Sequence, residues 1–86
     1  MTVYLIEING EAEFNQAIEN GRLIGVDSGL FWEDIIKHTK VLILDSNSDA
    51  IHVDFQWSHR PIENYITKRT KVISIEQIKE IKLKKK

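Results

Sequence analysis

Hydrophobic and polar positions alternate at the start of the chain. Over residues 2–8, Val3, Leu5 and Glu7 fall on one side of an extended backbone and Tyr4, Ile6 and Ile8 on the other, which predicts a strand with its more apolar face inward. Asn9-Gly10 ends it. The period then changes: acids crowd the start of residues 11–20, Phe14, Ala17 and Ile18 recur at helical spacing, and Gly21 stands where a left-handed C-cap is wanted. A short helix is expected there. Leu23, Ile24 and Val26 read as a second strand, broken by Asp27-Ser28-Gly29. Beyond the break a second helix is expected over residues 30–38, with Leu30, Phe31 and Ile35 along one face and Asp27 or Ser28 as its N-cap.

From Lys40 the pattern returns to strands. Residues 41–44 are a compact apolar run, 45–49 (DSNSD) have the composition of a turn, and 51–57 (IHVDFQW) alternate strictly, so a hairpin is the natural reading. Pro61 suits the first position of a helical turn that places Ile62, Tyr65 and Ile66 on one side. The end of the chain supports two patterns. Ser74 and Gln77 match a capping box, and Glu76 and Glu80 precede Lys79 and Lys84 as a helix favours. Ile73 and Ile75, then Ile81 and Leu83, instead keep period 2 on either side of Gln77-Ile78, as in a strand, a tight turn and a closing strand. The two-strand pattern is the expectation. Together these elements predict an α+β fold over residues 1–83: one domain of five or six mostly antiparallel strands, forming a curved sheet or small barrel, with one or two short helices. Residues 84–86 (KKK) are expected to be a disordered basic tail.

Composition narrows the functional classes. A chain of 86 residues has material for one small core, and 42% hydrophobic residues with a single proline are enough to fold it. Cysteine is absent, so the chain has no disulfide framework, thiolate zinc site or thiol nucleophile. The N-terminus has no basic leader, and the longest apolar run is far below the roughly 20 residues that span a bilayer. A cytoplasmic protein is expected. The charge is split: residues 1–50 carry nine acids and three bases, net −6, and residues 51–86 carry four acids and nine bases, net +5. Such asymmetry suggests a charged partner, provided the halves do not interleave in the fold.

Few residues offer catalytic chemistry. His52 and Asp54 share one side of the expected strand, and with His38 or His59 they match the two-histidine, one-carboxylate set of non-haem iron. The folds that use that set enclose the metal in a barrel larger than this chain can build. Asp45, Asn47 and Asp49 resemble the start of a calcium loop, but Ala50 replaces the glycine of the bend and Gln56 the bidentate glutamate. GVDSG, residues 25–29, lacks the G-x-S-x-G spacing of a nucleophile elbow, and no phosphate-cradling glycine loop occurs. No enzyme activity, metal or cofactor is therefore expected.

Two constellations remain. Phe31, Trp32, Glu33 and Asp34 set two adjacent aromatics beside acids; neighbours sit about 100° apart around a helix, so both rings cannot lie on one buried stripe. An aromatic flanked by carboxylates suits an interface that imitates or blocks a basic surface. Trp57, His59, Arg60, Tyr65, Lys68 and Arg69 instead mix aromatic faces with cations, as a nucleotide or nucleic-acid binder requires. The leading expectation is thus a small non-catalytic binding protein. Its compact, cysteine-free composition suits a phage or mobile-element factor that blocks a host defence protein by occupying its surface. The alternative is a nucleotide- or nucleic-acid-binding barrel, in one version an oligomer that sequesters a signalling nucleotide between protomers. Homo-oligomerisation through strand edges fits either reading.

Overall fold

A computed structural model describes residues 2–27, 32, 38–46 and 53–83. Its elements are β1 (Val3–Glu7), α1 (Glu11–Leu23), β2 (Val41–Asp45), β3 (Gln56–Ser58), a 3₁₀ helix (Ile62–Tyr65), β4 (Thr70–Ile73) and a second 3₁₀ helix (Glu76–Glu80). The four strands form an open mixed sheet in the order β3-β2-β1-β4. β1 pairs antiparallel with β2 and parallel with β4.

The alternation of β1 carries through to its surroundings. Ile6 and Ile8 join Phe14, Ala17 and Ile18 of α1, Leu42 and Leu44 of β2, and Ile73 of β4 in the main core. Leu5 turns to the opposite face, where it packs with Val41 and Ile62, flanked by Ile43 and Tyr65. The first 3₁₀ helix thus covers the face that α1 leaves open. Burial on both faces explains why β2 begins as a continuous apolar run.

The α+β class is as expected, but the sheet has fewer strands and does not close into a barrel, and each difference has a local cause. Leu23 and Ile24 do not begin a strand. α1 runs on to Leu23 and ends in a Schellman motif: the Val26 N–H donates to the Gly21 carbonyl at 2.9 Å and the Gly25 N–H to the Arg22 carbonyl at 3.2 Å. Gly25 has φ 98°, so it takes the left-handed role expected of Gly21. Gly21 lies inside the helix for a packing reason. A Cβ there would fall 2.6 Å from Cε2 and 2.9 Å from Cζ of Phe55.

β3 is shorter than the alternation of 51–57 suggests. Val53 and Phe55 are buried, but their backbones lie outside the ladder: the Val53 carbonyl accepts from the Asp27 N–H at 2.7 Å, and the Phe55 N–H donates to the Asp54 carboxylate at 2.7 Å. At the chain end the capping box prevails over the closing strand. The Ser74 N–H donates to Gln77 Oε1 at 2.8 Å and the Gln77 N–H to Ser74 Oγ at 3.3 Å, after which Ile78 and Ile81 enter the core. The expected second helix over 30–38, apart from Trp32 and His38, lies outside the described residues, as do the Ser28 cap, most of the 45–49 turn and the 84–86 tail.

α1 and the second 3₁₀ helix are tied by Asn20, which is 1% exposed. Its Nδ2 donates to the Ile75 carbonyl at 2.9 Å, and its Oδ1 accepts from Gln16 Nε2 at 3.0 Å. Asn20→Leu should lower unfolding stability in urea by about 1–3 kcal/mol, because the amide that meets a part-buried carbonyl is lost. Gly21→Ala should cost about 1–3 kcal/mol by overpacking against Phe55. Phe55→Leu in the Gly21→Ala background should recover part of that loss; if it recovers none in thermal melts, the ring is not what excludes the methyl group.

Candidate functional site

Trp32 is half-buried and packs against the main core. Its ring centroid is 5.5 Å from that of Phe14, with the ring planes at 53°. Phe14 is 1% exposed, so the indole is braced from behind by a fixed ring while part of it stays open to solvent. Phe31, Glu33 and Asp34 lie outside the described residues.

The aromatic-basic set does not gather into one surface. Trp57 pairs with Leu42 across β2 and β3, and it packs against the core on the α1 face. Ser58 points to the opposite face, where its hydroxyl hydrogen-bonds the Tyr65 hydroxyl. Trp57 and Tyr65 therefore lie on opposite faces of the sheet, and they do not form a shared stacking platform. The cations are separated as well. Arg60 follows Ser58, which pairs with Val41 near the Glu7 end of β1, whereas Lys68 and Arg69 precede Thr70, which pairs with Val3 at the other end. His59, Arg60, Lys68 and Arg69 are exposed.

The two charge halves interleave for the same topological reason. The basic half supplies β3 and β4, which are the two outer strands, and the acidic half supplies β1 and β2 between them. Among the described strands, the acidic and basic halves therefore do not fall on separate sides of the sheet.

His52 lies outside the described residues; Asp54 and His59 lie beyond opposite ends of β3. Asp54 directs its Oδ1 to the Phe55 N–H. Among the described residues no group of three His, Cys, Asp or Glu side chains could hold a metal ion. A hollow of about 470 Å³ is lined by Val3, Ile43, Asp45, Asp54 and Gln56, among others, and both of its carboxylates already have partners.

Sequence reading missed the exposed apolar side chains. Leu23 is 73%, Ile66 54% and Val72 51% exposed. Val72 sits within the outer strand β4, between Lys71 and Ile73. Residues 66–75 hold three cations and no acid, a signal present in the sequence that acquires meaning only once β4 is known to be an edge. Among the described residues no helix is long and apolar enough to cross a membrane. The chain matches no family model, no curated protein and no solved structure.

Proposed function

We propose that this chain is a non-catalytic binding protein that acts by occupying the surface of a protein partner through the segment Phe31, Trp32, Glu33 and Asp34. The observation that carries this reading is the brace behind Trp32. A half-exposed indole whose inner side rests on a buried Phe14 ring loses little rotamer freedom when a partner covers it, and such preorganised aromatics dominate binding energy at interfaces. Glu33 and Asp34 beside it favour a basic target surface. The composition suits a phage or mobile-element factor whose target is a host defence protein.

The nucleotide reading has weaker geometric support, because Trp57 and Tyr65 lie on opposite faces and Arg60 and Arg69 near opposite ends of the sheet.

Affinity capture from cells that express the tagged protein, followed by mass spectrometry and titration of the purified pair, provides the test. Glu33→Arg with Asp34→Arg should weaken the pair at least about tenfold, equivalent to about 1.4 kcal/mol, while the melting temperature stays within a few degrees. Trp32→Ala should abolish capture and also cost roughly 1–2 kcal/mol of stability through the lost Phe14 contact. Retained affinity in the charge-reversed variant would overturn the assignment.

A further inference from the structure

The outer edge of β4 is a second surface, independent of Trp32. The Val3 N–H donates to the Arg69 carbonyl at 3.0 Å, which sets the phase of the parallel ladder. Alternate residues Lys71 and Ile73 then turn their main-chain groups to β1, and Thr70 and Val72 turn theirs outward. The Thr70 N–H is satisfied by the Thr67 carbonyl at 3.3 Å, and the Ser74 N–H by Gln77. The turn before β4 and the capping box after it therefore close both ends of the edge. Among the described residues no hydrogen bond meets the Val72 N–H or carbonyl between them, or the Thr70 carbonyl beside it.

The side chains on this edge define what could pair with it. Val72 pairs with Leu5 in register and shares its face, but it is 51% exposed where Leu5 is buried. Lys71 projects to the other face, and exposed Lys68 and Arg69 precede the strand. Glu80 lines a hollow of about 140 Å³ together with Lys71, yet no ion pair joins them. A parallel second copy would set these cations against their own counterparts across a strand spacing of about 4.8 Å. An antiparallel copy centred on Val72 would set Lys71 opposite Ile73, so neither brings an acid to Lys71. An acidic strand has the opposite balance.

We propose that β4 is a docking edge for an extended segment of a partner protein in which acidic and apolar residues alternate. The segment adds a fifth strand. Its main chain meets the Val72 N–H and carbonyl, its acidic side chains lie on the face of Lys71, and its apolar side chains cover Val72 on the other face. Lys68 and Arg69 attract its acidic end.

The test uses the intact protein and a capped hexapeptide that alternates Glu and Val, followed by amide shifts and hydrogen exchange. The expected result is peptide-dependent shifts centred on Thr70 to Ile73 and slowed exchange of the Val72 amide. Binding should vanish for the same peptide N-methylated at alternate residues, and it should be at least about tenfold weaker for a hexapeptide alternating Lys and Val. Val72→Pro removes only the outward donor, leaves the β1 ladder intact, and should abolish binding. Lys71→Glu with Arg69→Glu should invert the preference between the two peptides, an outcome that does not depend on how Val72→Pro folds. Equal binding of the N-methylated peptide, equal binding of the two charge types, or protection of the Val72 amide by dimerisation without peptide would each overturn the proposal.

Discussion

Every other element is placed by the burial of β1 on both faces. Leu5 and Ile6 are adjacent, almost fully buried, and directed to opposite sides of the sheet. A strand in that position needs cover above and below as well as a neighbour on each side. α1 supplies one cover and the Ile62–Tyr65 helix the other, while β2 and β4 flank it. The chain meets this requirement with a helix before β2 and a crossing segment between β3 and β4. That crossing brings β4 alongside β1 from the same end, and so makes the sheet mixed.

The two proposed surfaces share a physical logic. In each, an ordered group is held from inside the molecule while a partner-facing side stays open: the Phe14 ring holds Trp32, and the β1 ladder holds Val72. Their charges are opposite, because Glu33 and Asp34 flank Trp32 whereas Lys68, Arg69 and Lys71 flank Val72. The near-zero net charge of the whole chain hides both. A contact that used the two surfaces together would favour a partner whose own charge is divided in the same way.

The parts of the fold legible in the sequence were those in which local pattern and tertiary contact agree. The alternation of β1, the Phe14-Ala17-Ile18 spacing of α1, the apolar run of β2 and the turn after Pro61 all appear where periodicity puts them. The failures occur where a distant residue decides. Gly21 looks like a helix terminus until Phe55 is seen to need its missing side chain. Residues 53–55 alternate as a strand, but Asp27 and the Asp54 side chain take their main-chain groups. Residues 73–83 satisfy both periods, and burial of Ile78 beneath α1 favours the helical one. The candidate sites were legible as residue types only, since nothing local to Trp57 and Tyr65 says that they occupy opposite faces.

The pairing of β1 with β4 also has a kinetic consequence. Val3 meets Thr70, so β1 leaves the ribosome long before its parallel neighbour is synthesised. Loop closure over that separation is slow compared with helix or hairpin formation. During that interval Leu5 and Ile6 can be sheltered by α1, β2 and the Ile62–Tyr65 helix, but β1 has no neighbour on its β4 side. Nascent chains stalled before Thr70 therefore expose the central strand of the sheet along its free edge, which makes them natural substrates for chaperones that grip extended apolar segments.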